Sequence, residues 1–309
     1  MKGLSILLLV LGLGLHARVE DHFKPAPGKD GSHKMRNIDF IYVLNLDQRP
    51  EKFERCAQQL ALWGIEPYRF SAVNGWELSL ETVTDVGVQY QPWMSTGAWG
   101  TYYEADIWKN GAHEYVYKAG RTYFCHCMSL GAVGIVLSHL SILQDAYDSG
   151  YETIWVMEDD IDILRNPHVL SDLIDRLDEV VGKEEWDVLF TDTDTKNTLG
   201  YYVPCTGFAW RPNFYPADPN RFAEREIVSP DFRRVGARFG AYSMIVRRSG
   251  MKKILDFLKE YNIFLPYDIE FPLPDDINLY TVLVDIVSTW PGSPSDNGSP
   301  AYKNGGGKP

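Results

Sequence analysis

The chain has 309 residues, 45% of them hydrophobic and 23% charged, the composition of a globular protein long enough to bury a core without relying on disulfides. Thirty Lys and Arg stand against 42 Asp and Glu, a net charge of -12, so a general electrostatic grip on nucleic acid is excluded and any phosphate ligand must be held locally.

Lys2 precedes an apolar stretch from Leu4 to Leu15 that ends near Ala17, the layout of a secretory signal over residues 1–17. The stretch is shorter than the roughly 20 apolar residues a spanning helix needs. Cleavage near Ala17 and export are expected, while Leu15 at the usual small-residue position keeps an uncleaved anchor, or peripheral membrane association, as the other reading. Residues 18–36, rich in charge, Pro and Gly, read as a linker. Four cysteines follow, Cys56, Cys125, Cys127 and Cys205, and export permits one or two bridges among them. Cys125 and Cys127 are sterically poor partners for each other. The Cys125-His126-Cys127 cluster lacks the second ligand pair of a zinc site.

Ordered structure is expected over residues 37–290. Ile38 to Leu46 reads as a strand, Pro50 to Trp63 as a helix stopped by Gly64, and Tyr68 to Val73 as a second strand closed by Asn74-Gly75, a dipeptide that favours left-handed turns. Residues 76–130 hold many aromatics with little period and read as an irregular insertion, whose rings either staple it to the core or form platforms for sugars. A helix from Ala132 to Tyr147 and a buried strand, Thr153 to Met157, come next. A helix near Pro167 to Val181 and a strand from Trp186 to Thr191 repeat the alternation. After a Pro-rich excursion through 204–231, Phe239 to Val246 reads as a strand, Ser249 to Tyr261 as a helix and Leu279 to Val287 as a closing strand. Residues 291–309 read as a disordered tail, with a sequon at Asn297-Gly298-Ser299.

Alternating strands and helices imply an α/β sheet covered on both faces, which binds ligands beyond the carboxyl ends of its strands. Two strands end in acid, one at Glu158-Asp159-Asp160-Ile161-Asp162 and one at Asp192 and Asp194. Glu158, Asp160 and Asp162 repel one another unless a hard divalent cation lies among them, and such a cation keeps positions open for phosphate oxygens. The other reading, an N-cap cluster ahead of the helix near Asn166, accounts for one acid but not for the group. Serine-hydrolase elbows, Walker loops and His-Glu-x-x-His are absent from the mature chain. Asp268, just after Pro266, is a candidate general base or a turn residue, and Asp275, Asp276, Asp192 and Asp194 compete for that role. His139 lies on the apolar stripe of its helix as a core histidine or a functional one. Arg49, just past a strand, suits phosphate or uracil recognition or pairs with Glu51 or Glu54 at the surface.

Tyr42-Val-Leu-Asn-Leu-Asp-Gln-Arg49-Pro, Ala72-Val-Asn-Gly75, Gly131-Ala-Val-Gly134-Ile-Val-Leu-Ser138-His139, Val156-Met-Glu-Asp-Asp160, Gly240-Ala-Tyr-Ser-Met-Ile-Val-Arg-Arg-Ser-Gly250 and Pro266-Tyr-Asp268 occur in order. This set resembles glycosyltransferase family 25, which includes bacterial lipooligosaccharide galactosyltransferases and procollagen galactosyltransferases. The resemblance implies a GT-A-like, Rossmann-related mixed sheet flanked by helices. It also implies a nucleotide-sugar donor, usually UDP-galactose, a Mn²⁺ or Mg²⁺ ion, and inverting transfer to a glycan, lipooligosaccharide or glycoprotein. By the same resemblance Asn45, Arg49, Asn74, Ser138 and Asp159 fall on the donor side, Ser138-His139 matches the family's Ser-His pair, and Glu158 with Asp160 matches its metal motif. The rival readings are an exported non-catalytic carbohydrate-binding protein of the same fold and a sugar nucleotidyltransferase, although Asn45 to Pro50 is not the Gly-rich basic loop the latter uses.

Overall fold

The computed structural model describes residues 17–197, 199–290 and 292–304. The stretch expected as a signal therefore lies, up to residue 16, outside the described residues. In chain order the early elements are β1 (Phe40–Asn45), α1 (Pro50–Ala61), β2 (Tyr68–Ser71), α2 (Leu80–Val86), β3 (Val88–Gln89), β4 (Trp99–Tyr102), β5 (Ala112–Tyr115) and β6 (Thr122–Cys125). Then come α3 (Leu130–Asp148), β7 (Thr153–Glu158), β8 (Ile161–Ile163), α4 (Val169–Val181), β9 (Val188–Phe190), β10 (Arg225–Ile227) and β11 (Phe232–Val235). The last are β12 (Ser243–Arg247), α5 (Arg248–Tyr261), the short α6 (Tyr267–Glu270), β13 (Leu279–Val282) and β14 (Val287–Thr289).

Eight strands form one mixed sheet in the order β10-β11-β13-β9-β12-β7-β1-β2. β1 runs parallel to both β2 and β7, with Leu44 opposite Glu158, while β12 is antiparallel to β7 and β9. One apolar cluster joins the face of Phe40, Tyr42 and Val156 to α3 and α5, and a second joins the face of Ile41, Val43 and Trp155 to α1 and α4. Helices thus cover both faces, as the alternation of elements implies. The chain leaves β1 through α1 on one face and enters β7 from α3 on the other. The carboxyl ends of β1 and β7 therefore flank a topological switch point, where α/β sheets form their crevice.

Several expectations change. The segment expected as a linker packs: Val19 is buried, Lys24 Nζ donates to Ser71 Oγ and the Ala72 carbonyl, and Lys29 Nζ holds Asp145. Isolated charges and a few scattered apolar residues, Val19, Phe23, Ala26 and Met35, carry no period, so this docking leaves no local sequence signal. The insertion is less irregular than its composition implies, because β3-β6-β4-β5 form an antiparallel sheet. The run from Leu279 to Val287 divides between β13 in the main sheet and β14, which pairs with β8. The Pro-rich excursion contains β10, an edge strand on β11. Asn74-Gly75 makes no left-handed turn. Asn74 caps a 3-10 helix over Gly75–Glu77, and Gly75 answers to close approach, since a Cβ there would lie 1.7 Å from the Leu130 carbonyl oxygen. Gly134 meets the same loop from the α3 side, where its Cβ would lie 2.5 Å from the Gly75 nitrogen.

Candidate active site

Where β7 leaves the core its backbone still holds the sheet, with Glu158 N donating to the Tyr242 carbonyl at 2.8 Å. The next residues face a cleft. Leu44, Lys52, Asn74, Trp76, Gly131, Ser138, Glu158, Asp159 and Asp160 line it, with residues 295–297 across the mouth. An adjoining hollow shares Glu158 and Asn297 and adds Gly240, Tyr242, Tyr267 and Asp268. Glu158 is the wall between the two.

The acids divide by their partners. Asp159 accepts from Asn45 Nδ2 at 2.7 Å and lies 3.5 Å from Lys52 Nζ; burial raises its pKa while Lys52 and Asn45 oppose the rise. Asp160 has less relief: Lys52 opposes its rise too, but among the described residues its buried Oδ1 has no hydrogen-bond partner. Burial and the charges of Glu158 and Asp159 push its carboxyl up to about 7. Glu158 meets His139 Nε2 at 3.3 Å. The His139 ring is buried and stacks on Tyr267 with centroids 4.1 Å apart, so it is a core histidine and a positioner of Glu158 together.

Asp162 does not join this group, contrary to the expected three-acid set. It turns away on β8 to pair with Arg55 at 3.0 Å, because the strand alternates its side chains and Arg55 on α1 lies beneath. Among the described residues no three His, Cys, Asp or Glu side chains gather at metal-binding spacing. The residues fit a cation held by two carboxylates, Glu158 and Asp160. The unpartnered Asp160 oxygen is a hard donor whose burial a cation would compensate, and water and phosphate oxygens would complete the set.

The expected donor residues are close together but largely engaged with protein. Asn45 is buried, donates also to the Arg49 carbonyl at 2.8 Å and accepts from Arg69 Nε at 2.8 Å. Ser138 Oγ donates to the Gly134 carbonyl and accepts from Val73 N, which fastens α3 to the loop after β2. Asn74 donates to the Tyr302 hydroxyl at 2.9 Å. Arg49, expected either at a phosphate or uracil or paired with Glu51 or Glu54 at the surface, has Glu51 Oε1 2.8 Å from its Nε and Asp296 Oδ2 3.3 Å from a terminal nitrogen, but it is buried, 3% exposed.

Asp296 belongs to a segment expected to be a disordered tail. Its backbone oxygen accepts from Trp76 Nε1 at 2.8 Å, Asn297 accepts from Ser129 Oγ, and Gly131 lies so close that a Cβ would come within 2.3 Å of the Asn297 carbonyl oxygen. Gly, Ser and Pro cannot make a core of their own, yet they pack as a strap across a surface that others supply. Lys52, Trp76 and Asp296 carry no motif. Only the placement of Lys52 one turn beyond Arg49 on α1 was a usable signal.

Asp268 sits at the amino end of α6, where its Oδ2 accepts from Gly240 N at 2.8 Å. Burial and the nearby Glu158 charge raise its pKa, against the pull of the Gly240, Asp268 and Ile269 amides. The competing acids are bound elsewhere. Asp192 is buried on Arg238 at 2.7 Å, Asp194 lies by Arg233, Asp275 accepts from Ala217 N and Asp276 faces Lys253.

Over residues 38–271 the chain matches the family described as Glycosyltransferase family 25 (LPS biosynthesis protein). The chain belongs to glycosyltransferase family 25. It is 25% identical over 183 residues to a Drosophila melanogaster "Glycosyltransferase 25 family member", which covers 59% of this chain and 25% of that protein. An Aedes aegypti protein of the same description is 27% identical over 169 residues, 55% of this chain and 23% of its own. The human "Inactive glycosyltransferase 25 family member 3" is 28% identical over 155 residues, 50% of this chain and 21% of its own. The chain spans about a quarter of the length of the curated relatives it matches. Within the matched residues, segments around β1, α3 and β7 line the cleft, and the segment around α6 lines the adjoining hollow.

Proposed function

We propose that the chain is an inverting, metal-dependent glycosyltransferase of GT-A-like fold that moves a sugar, galactose by the family resemblance, from a UDP-sugar to a hydroxyl of a glycan, lipooligosaccharide or glycoprotein. The observation that carries this reading is the pairing of two acidic roles across one wall. Glu158 and the unpartnered Asp160 face the cleft at the switch point, and Asp268 faces the hollow on the other side of Glu158.

A divalent ion held by Glu158 and Asp160 would neutralise the charge that develops on the leaving diphosphate. Lys52 lies beside that position and adds a second positive charge. His139, fixed by the Tyr267 ring, keeps the Glu158 carboxylate in place. Asp268 accepts the proton of the attacking hydroxyl: Gly240 N–H holds its Oδ2 in place at the hollow, and the raised pKa strengthens the base. Attack from the Asp268 side with departure toward Asp160 inverts the anomeric carbon.

Release of UDP from a panel of UDP-sugars with Mn²⁺, before and after EDTA, tests this directly. Turnover of at least one donor, lost in EDTA, is expected; full turnover in EDTA overturns the metal role. The word "inactive" in the human relative's name favours one second reading, a non-catalytic carbohydrate-binding protein, which would bind glycan and release no UDP. The amino-terminal apolar stretch supports a place in the secretory pathway, cleaved or anchored, and a lumen that supplies nucleotide-sugar.

A further inference from the structure

The loop between β6 and α3 holds two thiols that the reaction above does not use. Cys125 ends β6 and is buried, whereas Cys127 is exposed. The sequence spacing makes them poor partners in an extended strand, where alternate side chains point apart from their neighbours but lie too far along the chain. The structure removes that obstacle by turning the backbone. Cys125 N is tied to the Phe264 carbonyl at 2.8 Å, and Met128 N returns to the Cys125 carbonyl at 3.0 Å. This turn brings the two sulfurs to 2.6 Å.

The other cysteines do not compete. Cys56 lies in the apolar cluster on the opposite face of the sheet from Cys125, with its sulfur on the Asp159 carbonyl. Cys205 donates to the Gly207 carbonyl. We propose that Cys125 and Cys127 form a reversible dithiol–disulfide couple, a redox modification site whose oxidant is a low-molecular-weight disulfide. The roles follow from exposure: Cys127 meets the oxidant and Cys125 resolves. The thiols' acidities agree: the adjacent Cys125 sulfur lowers the Cys127 thiol to about 7, while the adjacent Cys127 and burial hold the Cys125 thiol above its ordinary value, and the thiolate is the attacking species.

The step balances. The Cys127 thiolate attacks one sulfur of the small disulfide, forms a mixed disulfide and expels one small thiolate, which takes up the proton Cys127 gave to solvent. Cys125 then loses its proton and attacks the Cys127 sulfur, so the Cys125–Cys127 bond forms and the second small thiol leaves. Two protein thiols are oxidised and one small disulfide is reduced to two thiols. The loop concerned ends in Ser129, which caps α3 and bonds the strap at Asn297, and it is tied to the segment that leads into Asp268 through Phe264. The couple stands whether or not the chain transfers sugar.

The test is a peptide map of the full chain equilibrated in graded mixtures of oxidised and reduced glutathione and then alkylated. Trypsin leaves both thiols in one peptide, residues 122–165, with Cys56 and Cys205 in two others. The expected result is that this peptide, in the oxidising mixtures, is lighter by about 2 Da, takes no alkyl group, and returns to two alkyl groups as reduced glutathione is raised. In Cys125→Ser, Cys127 should accumulate bound glutathione, and in the exposed-site variant Cys127→Ser, Cys125 should stay free. Two alkyl groups on the 122–165 peptide at every mixture, or its cross-link to the Cys56 or Cys205 peptide, overturns the proposal.

Discussion

Two buried strands of the main sheet end in acidic residues, and they meet opposite fates. At the end of β9, Asp192 is enclosed with Arg238, accepts from the Tyr242 hydroxyl and takes Ser288 Oγ at 2.8 Å, while the Arg238 guanidinium lies over the Phe190 ring. That end is closed. At the end of β7, Glu158 and Asp160 face each other's charge with a histidine and an unmet oxygen for company. A buried acid enclosed with an arginine serves the fold, whereas carboxylates crowded around a single lysine, Lys52, store a demand that a ligand can meet. The pattern of acid after strand is the same in both; the arginine is what differs.

The sharpest way to break this comparison is to neutralise both ends. Glu158→Gln with Asp160→Asn should lower transfer by about 10³-fold or more, the several kcal/mol of a cation's charge stabilisation, and leave the thermal transition nearly unchanged or raised because repulsion is relieved. Asp192→Asn should instead unfold at lower urea, by about 3–5 kcal/mol, since buried Arg238 is left with only Asp194, 4.0 Å away, as counter-charge. An Asp192→Asn protein of full stability and no activity would reverse the assignment.

Next in size is Asp268→Asn, for which kcat should fall about 10²- to 10⁴-fold with UDP affinity intact. The pH profile carries a signature. A base must be ionised to act, and burial raises its pKa, so activity should fail on the acid side at a pH above the ordinary carboxylate range. That limb should vanish from the residual rate of the variant. If UDP binding is lost instead, Asp268 belongs to the donor side.

A smaller effect separates strap from cleft. Asp296 occupies an anion's place on Arg49, so Asp296→Asn should tighten UDP binding by about tenfold, the ~1.4 kcal/mol of one charge-assisted contact. Arg49→Lys should weaken it, because a point charge cannot reproduce the planar fork. Calorimetry with UDP reads both, and unchanged affinity in both would return Arg49 to a purely structural role at the start of α1.

The insertion divides as the strand ends do, and its exposed aromatics carry the smallest effect. Phe124 is buried in the core, so Phe124→Ala should cost about 3–5 kcal/mol. Trp99 stays 46% exposed beside Tyr115, and Trp99→Ala should cost no more than about 0.5 kcal/mol while raising the acceptor KM a few-fold. An unaltered acceptor KM would place acceptor recognition elsewhere.

Much of this was legible from residues. Strong periodicity placed α3 and α5, and uninterrupted apolar runs placed β1, β7 and β12, because an element buried on both sides must be apolar along its length. The acidic motif after β7 and Asp268 after Pro266 stood out by residue type. Lys52, Trp76 and Asp296 did not, since each acts through a partner distant in sequence and none sits in a repeating pattern. The strap and the segment over residues 18–36 were hidden for a related reason. Their contacts lie on single side chains and backbone oxygens, and these leave no period.

By itself the sequence determined the α/β alternation, the family and the chemical inventory of the site: acids at strand ends and a Ser-His pair on a helix. Those are local properties, set by periodicity and residue type. Only the tertiary structure decided which acids are free, that Asp162 and Asp192 are paired away, that Asp296 stands on Arg49, and that two cysteines with one residue between them touch. Charge and contact depend on distance through space, and the chain's own order does not contain that distance until the sheet brings β1, β7 and α6 to one crevice.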